Sequence, residues 1–262
     1  MSSSDSKAVV LTREGGIAHL IFNRPLTMNA LDVSSASEFL QACRSIAADP
    51  TVRVVVMRGE GRAFGAGGDL SVLQHASGDA VLALIEPMHE AIKLLAGLNA
   101  PVIASLHGVV AGGSMSLALA CDLAIAAEGT RFNMAYANVA ASSDVGGSWS
   151  LPRIVGLRNA MQIALLSDTF DAAEAFRLGM VNRVVPADRL QEETQALAQR
   201  LAAGPTLAYG RMKRLMRESF DNDFATQLDD ERDAFRASTE TRDFKEALEA
   251  FFAKRRAVFV GQ

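Results

Sequence analysis

Apolar positions fall in short runs near the start of the chain and at helical spacing further on. Ala8 to Leu11 and Ile17 to Phe22 are apolar runs divided by Glu14-Gly15-Gly16, which predicts a β-hairpin. Leu31 to Ala48 carries Phe39, Leu40, Cys43, Ile46 and Ala47 at helical spacing and begins beside Asp32, which predicts a helix capped by that aspartate. Val52 to Met57 is continuously apolar and reads as a buried strand. Gly59 to Gly68 then forms a glycine-rich loop leading to Asp69, and a long helix is predicted over Ala80 to Leu98. A strand (Pro101 to Leu106), a loop (Gly108 to Gly113), a helix (Ser114 to Ala120) and a strand (Asp122 to Ala127) follow. Strand and glycine loop thus occur twice, which predicts stacked β-β-α-like turns with the two loops at comparable positions. From Trp149 onward the spacing reads as helix after helix. Gly204-Pro205 breaks two of them, and charges crowd the last, Thr239 to Arg256. The expected organisation is a mixed α/β core over residues 1–200 and a helical section over residues 201–262.

Composition narrows the classes. With 26 Lys+Arg against 30 Asp+Glu, the chain lacks the basic excess of a phosphate-backbone binder. The stretch from Leu94 to Cys121 holds no Asp, Glu, Lys or Arg. Asn99-Ala-Pro101, His107-Gly108 and Gly112-Gly113 punctuate it, so it reads as strand, turn and helix in a dry core rather than as a membrane span. Cys43 and Cys121 fit neither a disulfide framework nor a zinc site, and MSSSDSKAVV lacks the apolar core of a secretory leader. A soluble protein of the cytoplasm is expected, without nucleic-acid or membrane partners.

Familiar chemical motifs fail by counting. The sixth position after Gly59-x-Gly61 begins is Phe64, not the glycine of a dinucleotide loop. No Gly-Lys pair supports a P-loop, and Gly112-Gly-Ser-Met-Ser116 lacks the second glycine of a hydrolase elbow. His19, His75, His89 and His107 have no metal-ligand spacing, so no metal is expected. Either glycine cluster alone is satisfied by a permissive turn. Together they allow the Gly68 and Gly113 N–H groups to converge on one oxygen, with the helix after Gly113 favouring negative charge there. Two such donors suit a thioester enolate.

These residues resemble the crotonase, or enoyl-CoA hydratase/isomerase, superfamily. Phe22-Asn-Arg-Pro-Leu-Thr-Met-Asn-Ala-Leu31 is similar to its N-terminal signature. Gly61-Arg-Ala-Phe-Gly-Ala-Gly-Gly-Asp-Leu70 is similar to its first oxyanion loop. Pro101 to Gly113, followed by Cys121-Asp122, resembles the second, and Phe251-Phe-Ala-Lys-Arg-Arg256 resembles its C-terminal ending. The resemblance implies a crotonase-like ββα spiral core with a helical trimerisation region, and homotrimers or dimers of trimers. It also implies a coenzyme A thioester as substrate, the coenzyme being part of the substrate and no separate cofactor being needed. It places the oxyanion donors at Gly68 and Gly113. Substrate-binding positions fall at Ala66 (against adenine), Gly67, Asp69, Leu70, Ser116 and His89, and the acyl pocket wall falls between Ser71 and Glu90. Phe251 and Lys254 correspond to a segment that reaches a neighbouring subunit's ligand.

The departures from the family pattern are chemical. Hydratases of this family carry one glutamate three residues after the second oxyanion glycine, here Ser116, and another fourteen residues after the aspartate matching Asp122, here Tyr136. Without those carboxylates, holding water and managing the α-carbon proton lacks its usual bases. One carboxylate remains nearby. Asp144 lies in Ser142-Ser-Asp-Val-Gly-Gly-Ser-Trp-Ser-Leu-Pro-Arg153, which is similar to the aspartate segment of 1,2-epoxyphenylacetyl-CoA isomerases, with Ser143 where that branch often has proline. There the aspartate is the acid/base residue. On the residues alone, Asp144 is equally a cap or turn residue before Gly146-Gly147.

The expectation is therefore an acyl-CoA enzyme that stabilises a thioester enolate, an enoyl-CoA double-bond isomerase in fatty-acid or aromatic-ring catabolism, with Asp144 as acid/base and Tyr136 orienting it or the substrate. A rival also comes from the family. In 4-chlorobenzoyl-CoA dehalogenases an aspartate at this position attacks the ring and a histidine twelve residues before the strand proline activates water. His89 stands twelve residues before Pro101, although its helical spacing also fits a histidine satisfied beside the core. Acyl-CoA hydrolysis through the same pair is a third reading, and a non-catalytic acyl-CoA binder is a fourth.

Overall fold

The computed structural model describes residues 7–75 and 77–262. The amino-terminal residues 1–6, on which the expectation of no leader partly rests, and Ala76, within the expected pocket wall, lie outside the described residues. The chain opens with the expected hairpin, β1 (Val9–Glu14) and β2 (Ile17–Phe22), paired antiparallel. Helix α1 (Val33–Ala47) starts at its expected cap: Asp32 accepts from the Ser35 amide at 2.8 Å while the Ser35 hydroxyl accepts from the Asp32 amide at 2.8 Å.

The order continues with β3 (Val54–Gly59), the short α2 (Leu70–Leu73), α3 (Gly78–Gly97), β4 (Val102–Leu106), β5 (Val109–Ala111), α4 (Gly112–Ala120), β6 (Leu123–Ala127) and β7 (Arg131–Asn133). After these come α5 (Gly147–Val155), α6 (Leu157–Leu166), β8 (Phe170–Asp171), α7 (Ala172–Arg177), β9 (Arg183–Val185) and α8 (Leu190–Ala202). Helices α9 (Thr206–Glu218), α10 (Phe224–Thr239) and α11 (Arg242–Phe252) end it. The part after Trp149 is thus not purely helical, since β8 and β9 interrupt it; two- and three-residue strands are too short to show a period. The terminal helix expected over Thr239 to Arg256 is α11 alone, because Thr241 accepts from the Phe244 amide at 3.1 Å and starts a new helix there. No helix among the described residues is long and apolar enough to cross a membrane.

Strands β1-β2-β3-β4-β6-β9 form one sheet, parallel from β2 onward, and β5-β7-β8 form a second. The parallel strands bury both faces, and alternation assigns each side chain to one of two cores. Val55, Met57, Val102, Ala104, Leu106, Ala124 and Ala126 face a large core shared with Phe39, Met88 and Met115 from α1, α3 and α4. Val54, Val56 and Ile103 face Ala198 on α8. On that face the buried hydroxyls of Ser105 and Thr194 are hydrogen-bonded at 3.0 Å. Asp122 pins the C-terminal helices to this sheet. It accepts from the Val102 amide at 2.8 Å and pairs with Lys213 at 2.7 Å and Arg217 at 2.9 Å, both on α9.

Candidate active site

The glycine loop after β3 runs as a bridge between two other segments. The Gly65 amide donates to the Val109 carbonyl at 3.1 Å, and the Ala111 amide returns a bond to the Gly65 carbonyl at 3.0 Å. On the opposite side the Ala66 amide donates to Met28 at 3.0 Å, the Leu31 amide to Gly67 at 2.7 Å and the Asp69 amide to Leu31 at 2.8 Å. The Gly67 amide donates to the Ser114 hydroxyl at 3.2 Å. Every amide from Gly65 to Asp69 is thereby paired except that of Gly68, which donates to no acceptor among the described residues.

The other glycine of the expected pair lies on α4. Gly113 lies in its first turn, where amides have no intrahelical acceptor, and it is buried. The two loops touch through Gly67. A Cβ there would lie 3.0 Å from the Ala111 carbonyl oxygen and 3.3 Å from the Gly113 nitrogen, and φ is +92°, so only glycine lets the loops meet. Both loops leave the C-terminal ends of adjacent parallel strands, β3 and β4, where ligand crevices form in such sheets.

Asp144 is brought to the same place. A Cβ built on Gly113 would lie 3.6 Å from Asp144 Oδ1 and 3.8 Å from the Tyr136 hydroxyl. The Asp144 carboxylate does not cap α5, whose N-cap is Gly146 and lacks a side-chain cap; the turn is made instead by the Asp144 carbonyl, which accepts from the Gly147 amide at 2.9 Å. Its Oδ1 accepts a short hydrogen bond from Tyr136, whose hydroxyl stands 3.0 Å from the Ser116 hydroxyl. Because a carboxylate only accepts, Tyr136 donates forward and Ser116 donates to Tyr136. Burial first, and the Asp144 charge second, push the Tyr136 hydroxyl far above the ordinary phenol range, so it stays protonated. Asp144 Oδ2 accepts no hydrogen bond among the described residues.

The turn after Asp144 is strained. Val145, a β-branched residue, has φ of +51°, followed by Gly146 at +75°. Such a conformation costs on the order of 1–3 kcal/mol. The buried Val145 amide donates to His89 Nε2 at 3.1 Å, which links α3 to this turn.

The expected residues divide into two groups. Gly113, Ser116, Tyr136 and Asp144 lie together, Gly68 follows the Gly67 contact with Gly113, and His89 reaches the backbone beside Asp144. Asp69 turns aside: its carboxylate accepts from the Ser71 amide at 3.1 Å to cap α2 and lies 3.5 Å from Arg24, which also pairs with Asp32 at 3.0 Å. Leu70 is exposed at the start of α2, and Ala66 is half-buried with its amide spent on Met28. Phe251, exposed at the end of α11, stacks edge-on with Phe252 at 5.5 Å and joins no site residue described above. Sequence reasoning missed Leu31, whose Cδ1 would lie 3.5 Å from a Cβ on Gly113, and the tie from Ser114 to Gly67. No local pattern announces either contact.

Comparisons with known proteins identify the family of the chain. The family model described as enoyl-CoA hydratase/isomerase matches residues 12–262. The chain is 34% identical over 253 residues to a 1,2-epoxyphenylacetyl-CoA isomerase of Escherichia coli (strain K12), covering 95% of this chain and 97% of that protein. It is 32% identical over 255 residues to a crotonyl-CoA hydratase of Syntrophomonas wolfei, covering 97% and 98%. Among solved structures, a putative enoyl-CoA hydratase/isomerase from Mycobacterium abscessus superposes with a TM-score of 0.92 at 33% identity, covering 97% of this chain and all of that one (100%). Relatives with hydratase and isomerase names thus share one scaffold with this chain, which belongs to the enoyl-CoA hydratase/isomerase family of acyl-CoA enzymes.

Proposed function

We propose that the protein is an enoyl-CoA isomerase working through a thioester enolate. The observation that carries this reading is the placement of Asp144 beside Gly113, with one oxygen held by Tyr136 and the other free. The thioester oxygen accepts from the Gly68 and Gly113 amides. Asp144 Oδ2 takes a proton from one carbon of the acyl chain, and the C–H electrons move into the conjugated system as charge gathers on the thioester oxygen. The enolate then collapses by taking a proton from the Asp144 carboxyl, which can exchange with solvent, at a second carbon; this moves the double bond and regenerates the carboxylate. Nothing is oxidised or reduced.

Hydration is disfavoured because Ser116 and Tyr136 stand where the hydratases of the family carry glutamates, and both hydroxyls are committed to holding Asp144. The same reading takes the working form as a cytoplasmic homotrimer or dimer of trimers. Exposed apolar side chains on the C-terminal helices, among them Met216, Phe224 and Phe251, support it. Light scattering that returned a monomer at working concentration would remove that part.

The test is proton exchange. Wild type and Asp144→Asn are incubated with a 3-enoyl-CoA in D₂O, and the double bond and deuterium are followed by NMR. Migration with α- or γ-deuterium in wild type, lost in the variant while thioester binding persists, is the expected result; an Asp144→Asn enzyme at wild-type rate overturns it. The dehalogenase-like or hydrolase reading needs His89 to take a proton from water, and its Nε2 lone pair is occupied by the Val145 amide. Binding without any exchange in wild type would favour the non-catalytic binder.

A further inference from the structure

We propose that His89 is a positioning residue for Asp144: through an unprotonated Nε2 it holds the Val145 amide and so fixes the left-handed turn that aims the carboxylate. The inference rests on the reading of Asp144 as the proton carrier. A backbone N–H can only donate, so the 3.1 Å bond from Val145 requires a bare Nε2, with the ring proton on Nδ1. That nitrogen is not free to deprotonate water or substrate in this arrangement. The ring acts on the backbone one residue from the chemistry.

Three observations give the contact its weight. Val145 sits at φ +51°, a conformation that a β-branched residue keeps only when its surroundings impose it. Its amide is buried, the whole residue being 2% exposed, so losing the acceptor leaves a donor unpaired away from water. Finally, α3 meets the turn twice on one face. His89 takes the Val145 amide, and three residues on, Ile92 Cδ1 lies 3.3 Å from where a Cβ on Gly146 would be. From the other side Gly147 packs against Ser116 and Met134 with no room for a side chain. The turn from Asp144 to Gly147 is therefore gripped between α3 and α4, and His89 supplies the only hydrogen bond to it from α3 among the described residues.

The experiment compares His89→Leu, His89→Gln and Asp144→Asn in 3-enoyl-CoA isomerisation, with thermal melting to confirm folding. Glutamine offers an acceptor at similar reach but carries no proton between groups. We expect His89→Leu to lose kcat by about 10–100-fold with KM within about twofold, and His89→Gln to return to within about threefold of wild type. Hydrogen exchange gives a second readout: the Val145 amide is expected to be protected in wild type and in His89→Gln. Wild-type kcat in His89→Leu, beside an inactive Asp144→Asn, overturns this proposal alone. Equal losses in His89→Leu and His89→Gln would make the ring a proton carrier and also overturn it. A rapidly exchanging Val145 amide in wild type does the same, even where His89→Leu fails to fold. Full activity in Asp144→Asn overturns the proton-carrier reading itself, and this inference with it.

Discussion

The Tyr136 hydroxyl donates to Asp144 Oδ1 and is backed 3.0 Å away by the buried Ser116 hydroxyl. The three groups form a one-way chain of donors ending on a carboxylate. It holds Oδ1 in place, while Oδ2 accepts no hydrogen bond among the described residues. Tyr136→Phe keeps the ring and removes the donor, so the carboxylate is still present but free to rotate. The expected outcome is a kcat lower by about 10–100-fold at nearly unchanged KM. Steady-state kinetics on a 3-enoyl-CoA checks it; a tenfold rise in KM at constant kcat would assign Tyr136 to substrate binding instead.

Gly67 and Gly113 lie in touching loops but predict opposite kinds of failure. At Gly113 an added methyl meets Leu31, Asp144 and Tyr136 at 3.5–3.8 Å, ordinary contact distances. Gly113→Ala should therefore melt close to wild type while screening the amide and losing most turnover. At Gly67 the methyl meets the Ala111 carbonyl at 3.0 Å on a backbone at φ +92°. Gly67→Ala should cost about 1–3 kcal/mol of stability. Thermal melts beside turnover rates separate the two, and equal melting losses would contradict the assignment.

Asp122 is the junction between sheet and C-terminal helices. Its side chain is 12% exposed and that of Lys213 only 9%, so Asp122→Asn leaves a cation short of its counter-charge in a dry place. Burial already pushes the Lys213 ammonium below its ordinary range. Arg217, 28% exposed, can turn to solvent, so the loss should fall at the lower end for a broken buried pair, about 3 kcal/mol. Chemical denaturation measures it, and adding Lys213→Met to Asp122→Asn should recover part of the loss.

The C-terminal tail should loosen in acid. Hydrogen bonds from Arg255 and the Val258 amide hold the Glu246 carboxyl at about 2, against an ordinary 4.5. A folded value below the unfolded one means that this hold is complete above pH 4.5 and is lost as pH falls from 4.5 toward about 2. Hydrogen exchange at the Val258 amide should accelerate over that window beyond its intrinsic pH trend, and Glu246→Gln should remove the pH dependence. A Val258 amide that responds identically in wild type and variant would refute the assignment.

Much of the frame was legible in the chain. Val52 to Met57 and Pro101 to Leu106 are apolar enough to announce buried parallel strands, and Asp32 announced its own capping box. Strands β5, β7, β8 and β9 were not legible, because two or three residues carry no period. In the site, the glycine loops were visible as loops, and their convergence was plausible from their repetition. The cap reading of Asp144 fell only when the structure showed α5 starting without its carboxylate. The grip of His89 on Val145 joins residues fifty-six positions apart, and that of Arg217 on Asp122 ninety-five. Such pairings are products of tertiary closure, and no window of sequence contains both partners.

The division of labour between main chain and side chain in this site has an evolutionary consequence. On the proposed reading, the electrophilic half consists of two peptide N–H groups, which survive any substitution that spares the loop path. The basic half consists of exchangeable side chains on α4, at the Tyr136 turn and at the Asp144 turn. Point changes at Ser116, Tyr136 or Asp144 can therefore redirect the fate of an enolate without dismantling the means of making one. A lineage built this way diversifies its reactions while inheriting its intermediate.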